Sequence, residues 1–180
     1  MNLTEFLEDR PFFKQIINNK SITGCEIGTE SGTNALNILT HLDINHIILI
    51  DPFLNYGNMC GGGVLETPEI ATSCKNYAFN LLSDFTDKIT WVIDFSENEV
   101  INIKDKSLDF VYIDGNHRFD YVKKDIELYY PKVKYGGWLA GHDFKNGEPG
   151  VKQAVIEFCK SNNLIFYNQN WDWWIHKNEQ

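Results

Sequence analysis

The sequence predicts an α/β fold, a doubly wound open sheet of seven strands whose terminal pair is antiparallel. Three observations predict it. Short apolar runs alternate with helix-period segments through most of the 180 residues. The run Ile47, Ile48, Leu49 and Ile50 is uninterrupted, as in a parallel strand covered by helices on both faces. The last two apolar runs are joined by a short turn with no helix between them, which brings them back antiparallel. At this length one well-buried core is expected and two ordinary domains are not, so residues 1–180 are expected as a single domain.

Met1 to Arg10 carries Glu5, Glu8 and Asp9 in a short amphipathic pattern, so residues 1–21 are expected as an amino-terminal helical segment and 22–180 as the core. Ile22 to Gly28 reads as the first strand, and Thr33 to His41 as a helix with Ala35, Leu36 and Leu39 on one face. His46 to Asp51 is the second strand. Thr67, Pro68 and Glu69 supply an N-cap, a proline at the first helical position and an early acid, so a helix is expected from there to about Asp84. Thr90 to Phe95 and Asp109 to Asp114 are the third and fourth strands. Tyr121 to Tyr130 is a helix stopped by Pro131. Trp138 to Asp143 is the fifth strand and Val151 to Lys160 a helix. Leu164 to Tyr167 and Trp173 to His176 close the sheet, with Trp171, Trp173 and Trp174 expected to pack.

The formal charge of -9 opposes nonspecific attraction to phosphate backbones, so no nucleic-acid partner is expected. The four cysteines, Cys25, Cys60, Cys74 and Cys159, form no Cys-x-x-Cys pair, and reduced thiols in a cytoplasmic protein are expected. The amino terminus lacks the basic-then-apolar order of a secretory signal, and no segment reaches the roughly 18 apolar residues of a membrane span.

Ligands of open α/β sheets sit beyond the carboxyl ends of the strands, and four chemically capable residues fall at two such ends: Asp114 and His117, His142 and Asp143. Asp114 and Asp143 are hard oxygen donors of the kind magnesium prefers, and His142 adds a nitrogen for a softer ion. His117, one helical turn beyond Asp114, is an imidazole able to accept a proton near neutral pH. The turn from Glu26 to Gly32 has glycines at Gly28 and Gly32 for close backbone approach to a ligand. It lacks the Gly-x-Gly-x-x-Gly spacing of a dinucleotide fingerprint, and Glu26 would repel a pyrophosphate. Asp51 closes the second strand, where a carboxylate can accept from both hydroxyls of a ribose. The glycine-rich stretch Asn55 to Val64 is a candidate lid.

Four segments carry a resemblance: Glu26-Ile27-Gly28-Thr29-Glu30-Ser31-Gly32, Ile50-Asp51-Pro52, Tyr112-Ile113-Asp114-Gly115-Asn116-His117, and Gly136-Gly137-Trp138-Leu139-Ala140-Gly141-His142-Asp143-Phe144. Together they resemble class I S-adenosylmethionine-dependent methyltransferases, within them the small-molecule O-methyltransferases of the macrolide-sugar and catechol type. The resemblance implies a Rossmann-like methyltransferase domain with S-adenosylmethionine as cofactor. It implies that Gly28 and Gly32 border the methionine part, Glu26 supports the turn, Asp51 holds the ribose, and Asp94, Phe95 and Ser96 lie on the adenine side. Asp114, His142 and Asp143 match the metal positions, for magnesium or another divalent cation, and His117, with Asp114, the catalytic position. The catechol-type pair at the fifth strand is Asp-Asn, and His142-Asp143 departs from it.

The expected activity is therefore O-methylation of a small hydroxylated acceptor, a sugar, glycoside or phenol, by a protein that can form a homo-oligomer. A metal-free reaction with His117 or His142 as sole base stands second. A binding module that keeps the nucleoside pocket without chemistry is the alternative from another class. A nicotinamide-dependent oxidoreductase is disfavoured by the missing third glycine.

Overall fold

The structure is a computed structural model that describes residues 1–54 and 67–179. The seven strands are β1 (Ile22–Ile27), β2 (Ile44–Ile50), β3 (Ile89–Val92), β4 (Leu108–Ile113), β5 (Val133–Gly141), β6 (Phe166–Gln169) and β7 (Asp172–His176). They form one sheet in the order β3-β2-β1-β4-β5-β7-β6. The first five pair in parallel, and β7 pairs antiparallel with both β5 and β6. This is the doubly wound, Rossmann-like sheet with an antiparallel terminal pair that the sequence predicts.

The helices are α1 (Leu3–Asp9), α2 (Thr33–His41), α3 (Pro68–Leu81), α4 (Ser96–Glu99), α5 (Phe119–Tyr129) and α6 (Pro149–Asn162). Their starts follow local chemistry. Asn2 and Glu5 form a capping box on α1, and the Thr67 hydroxyl accepts from Ile70 N ahead of Pro68 on α3. Side chains alternate along the strands between two buried clusters. Phe110 and Tyr112 of β4 join Phe6, Phe12 and Phe13 with Ala35 and Ile38 of α2 on one face. Val111 and Ile113 join Val122, Ile126 and Tyr129 of α5 and Val151, Ala154 and Val155 of α6 on the other. Covering both faces is what makes the strands almost continuously apolar.

Several element ends differ from expectation, β6 by two residues at each end, at Phe166–Gln169 where the sequence predicts Leu164 to Tyr167, and three other boundaries bear on the site. β5 begins five residues early, at Val133, because Gly136 adopts φ +77° and lets the strand bend while it still pairs with β4. It ends at Gly141, so His142 and Asp143 sit on the loop beyond it. β3 stops at Val92, which leaves Asp94 and Phe95 outside the sheet. Trp173 and Trp174 are buried as expected, whereas Trp171 is not: it lies at the tip of the β6–β7 hairpin with φ +73° and is 56% exposed. The candidate lid, Asn55 to Val64, lies outside the described residues. Among the described residues no helix is long and apolar enough to cross a membrane.

The chain order reverses between β1 and β4, a switch point of the kind where open α/β sheets take their ligands, beyond the carboxyl ends of the strands. Backbone bonds stitch that rim together: Gly28 N to Ile50 O at 2.9 Å, Asp114 N to Ile27 O at 2.8 Å, and His142 N to Ile113 O at 3.0 Å.

Candidate active site

Asp114 and His117 lie on the loop between β4 and α5, His142 and Asp143 on the loop after β5. Because β4 and β5 are paired neighbours ending at Ile113 and Gly141, the two loops emerge side by side. Asp143 takes a left-handed backbone conformation, φ +60°, which a short acidic side chain tolerates better than most. Its Oδ2 lies 2.9 Å from His117 Nε2 and 3.5 Å from His142 Nδ1, and Lys145 pairs with Oδ1. Asp114 Oδ1 stands 3.9 Å from His117 Nε2 and 3.8 Å from His142 Nδ1. All four predicted groups therefore meet.

Within this cluster one oxygen or nitrogen each of Asp114, His117 and Asp143 lies within 4.8 Å of the others. His142 Nδ1 faces the same two carboxylates, and its other ring nitrogen, Nε2, lies 3.1 Å from Arg10 Nη1. A guanidinium only donates, so Nε2 acts as the acceptor and the ring hydrogen sits on Nδ1, facing the carboxylates.

Burial disfavours charge on His117, yet its hydrogen bonds to Asp114 and Asp143 outweigh that and raise its pKa to about 10. Burial likewise opposes ionisation of Asp143, but hydrogen bonds from His117, His142 and Lys145 hold its carboxyl well below the usual carboxylate range. As arranged, His117 is an imidazolium at neutral pH.

The β1–β2 side is built differently. A Cβ on Gly28, at φ +89°, would lie 2.3 Å from Asp114 O, so this glycine is required by the close approach of the β4 loop. Gly32, at φ +77°, precedes α2 and lies against Ala78 of α3 and Leu82 just after it. Asp51 is buried and accepts from Glu30 N at 2.8 Å and Phe53 N at 2.7 Å, tying β2 to the glycine turn. Glu26 is 1% exposed. Its Oε1 accepts from Asn34 Nδ2 at 2.8 Å, while Oε2 has no hydrogen-bond partner among the described residues. Burial raises its pKa to about 8.

Of the residues after β3, Asp94 is exposed and accepts from Phe95 N and Asn98 Nδ2. Phe95 is half-buried. Ser96 turns away from the rim, its hydroxyl donating to Asp125 of α5. Three residues near the centre escaped sequence reasoning: Arg10, Lys145 and Glu148, whose Oε2 is 3.7 Å from His117 Nδ1. The charged residues of the β5–α6 loop could have flagged the latter two. Nothing local could have flagged Arg10, which arrives from the amino-terminal segment.

Residues 25–144 match the family model described as a methyltransferase domain, two thirds of the chain and every element that builds the rim up to Phe144. The chain belongs to the methyltransferase domain family. A curated relative, an uncharacterized protein of Acanthamoeba polyphaga mimivirus, is 27% identical over 137 residues. That alignment covers 74% of this chain and 58% of the relative, so this methyltransferase domain spans less than two thirds of the relative's length.

Solved structures share its fold. The calicheamicin methyltransferase CalS11 superposes with a TM-score of 0.71 at 14% identity, over 98% of this chain and 80% of that one. The O-methyltransferase NovP gives 0.69 at 15% identity, over 99% and 81%. The O-methyltransferase TomG from Streptomyces achromogenes, solved with S-adenosylmethionine, gives 0.66 at 9% identity, over 99% and 82%.

Proposed function

We propose that this domain transfers a methyl group from S-adenosylmethionine to an oxygen of a small hydroxylated acceptor, a sugar, glycoside or phenol, at the ends of β4 and β5. The observation that carries the reading is the meeting of Asp114, His117 and Asp143 beside the point where the strand order reverses. A cluster of mutually paired acid and imidazole groups has no packing duty there, and it lies next to the turn that would hold the donor.

On the donor side, the buried Glu26 oxygen without a hydrogen-bond partner is completed by a cationic ligand, which the ammonium and sulfonium of S-adenosylmethionine supply. Asp51 accepts from the backbone N–H groups of Glu30 and Phe53, with Thr29 N–H beside them, and keeps acceptor capacity for a ribose hydroxyl. Gly28 and Gly32 border the methionine part. Asp94 and Phe95 take the adenine side, and Ser96 shapes it from behind through its bond to α5.

At the transfer centre, two carboxylates and an imidazole within 4.8 Å fit a hard divalent cation such as magnesium. Asp114 and Asp143 would hold it, with His117 or His142 as a further donor. Such a cation, when bound, lowers the pKa of a neighbouring hydroxyl and orients it. His117 holds a proton at Nε2 against Asp143 and releases it only when the charge of the two carboxylates is otherwise compensated. With that proton given up to solvent, Nε2 takes the hydroxyl proton as the oxygen attacks the methyl carbon in line and the methyl–sulfur bond breaks, leaving neutral S-adenosylhomocysteine.

The test is calorimetry with S-adenosylmethionine and its demethylated product, with and without magnesium, followed by labelled-methyl transfer to phenols and glycosides. Absence of donor binding would sink the reading. His117→Ala separates its two possible duties: a base variant keeps magnesium binding and loses turnover, whereas a ligand variant loses both.

A further inference from the structure

In-line transfer puts the acceptor on the far side of the methyl group from the donor nucleoside. With the donor at β1 and β2 and the transfer centre at β4 and β5, the far side is the wall made by the β6–β7 hairpin and the amino-terminal segment. These two pieces are laced together: Asn170 Nδ2 donates to Glu8 O at 3.0 Å, and Phe12 N to Asp172 Oδ2 at 3.0 Å.

Two side chains of this wall flank His142. Arg10 contacts its Nε2, and the Trp171 ring meets its ring at 6.1 Å, edge on. Trp171 is a large aromatic left more than half exposed, on a backbone with positive φ. Such a conformation is costly in a bulky residue and persists where the surroundings enforce it. Here Trp171 O accepts from Phe144 N at 2.8 Å, which pins the tip against the β5 loop. Lys145 Nζ stands 4.7 Å from the centre of the Trp171 ring. The Arg10 guanidinium pairs with Asp9 at 2.9 Å, yet its buried Nε–H has no acceptor among the described residues. Lys145 beside the indole is paired with Asp143 and Arg10 beside His142 with Asp9, so both cations reach this wall with a carboxylate on one side only.

We propose that Trp171 and Arg10 are the acceptor-recognition residues of this domain, and that the acceptor is a hydroxylated ring bearing an anionic oxygen. The ring lies on the indole, and the anionic oxygen takes the Arg10 Nε–H, with Lys145 adding charge from the side. The inference rests on the methyl-transfer reading and deepens it by naming the acceptor's chemistry.

A phenolic acid and a uronic acid share this chemistry, and two arms of one experiment distinguish them. 3,4-Dihydroxybenzoate and methyl glucuronoside are titrated calorimetrically into the full chain saturated with S-adenosylhomocysteine, beside their uncharged counterparts catechol and methyl glucoside. The expected result is that one acid binds, and binds at least about tenfold more tightly than its uncharged counterpart, the equivalent of one charge-assisted contact. Trp171→Ala and Arg10→Met should each weaken it about tenfold or more, and Trp171→Phe should keep most of the affinity. Arg10→Lys guards against a folding defect: it restores charge without the planar fork and should recover part of the loss. Failure of both acids to bind, equal binding of acid and counterpart, or indifference to Trp171→Ala and Arg10→Met would each overturn the inference. Failure of S-adenosylhomocysteine itself to bind would instead overturn the methyl-transfer reading beneath it.

Discussion

The two halves of the rim use similar residues for different ends. At β1 and β2 the glycines and Asp51 are consumed in building the turn: Gly28 makes room for the Asp114 carbonyl, Gly32 rests on α3, and both Asp51 oxygens accept backbone N–H groups. At β4 and β5 the charged groups hold one another, and no strand or helix depends on them. A residue in a ligand-binding turn can thus be required by the fold alone, whereas mutually neutralising groups gathered at strand ends point to chemistry.

That contrast can be broken by substitution. The largest effect is expected from Asp143→Asn, which removes the charge that His117, His142 and Lys145 share. Methyl transfer should fall by about 100-fold or more, in the range of losing a positioned electrostatic group, while the protein stays folded with a melting temperature lowered by the lost pairing with His117. A variant that unfolds instead would make the cluster structural. Gly28→Ala should do the reverse. With its new Cβ 2.3 Å from a carbonyl oxygen at φ +89°, it should lose roughly 2–4 kcal/mol in urea unfolding. Gly32→Ala, at φ +77° and with a Cβ that meets Ala78 and Leu82 at 3.3–3.4 Å, should lose about 1–2 kcal/mol.

Smaller effects come from pH. His117 is held at about 10 when folded against 6.5 when free. Its stabilisation is therefore complete below about pH 6.5 and fades as pH rises towards 10. Asp143, depressed when folded, contributes above its free value of 3.8 and loses that contribution as pH falls below it. A melting-temperature profile should decline on both flanks, and the alkaline decline should be shallower in His117→Asn. Glu26 acts in the same direction as His117 and opposite to Asp143: its carboxyl is raised from 4.5 to about 8, so ionising it costs stability progressively as pH rises through that window. Glu26→Gln should flatten that part of the profile. A cationic donor should bind more tightly as pH approaches 8 and release protons below it, detectable by calorimetry in two buffers of different ionisation enthalpy.

Much of this was legible in the sequence because parallel sheets advertise themselves. The unbroken Ile47–Ile50 run and the sites at successive strand ends follow from covering both faces of the sheet. Asp114, His117, His142 and Asp143 were recognisable as one centre because neighbouring parallel strands end together. The contact of Arg10 with His142 was not legible, since the two lie more than a hundred residues apart in sequence. The exposed Trp171 was hidden among two buried tryptophans, and only the turn geometry of Asn170 and Trp171, both at positive φ, separates it from them. Ser96 read as a donor-side residue because sequence order placed it after β3, while α4 turns its hydroxyl towards α5.

The division between a donor-holding half and a transferring half is tested most directly by titrating S-adenosylmethionine calorimetrically into the unaltered protein, Asp51→Asn and Asp143→Asn. The donor should bind the first, bind Asp51→Asn about tenfold or more weakly, and bind Asp143→Asn within about threefold of the unaltered protein. No binding to the unaltered protein, or affinity lost with Asp143 and untouched by Asp51, would contradict it.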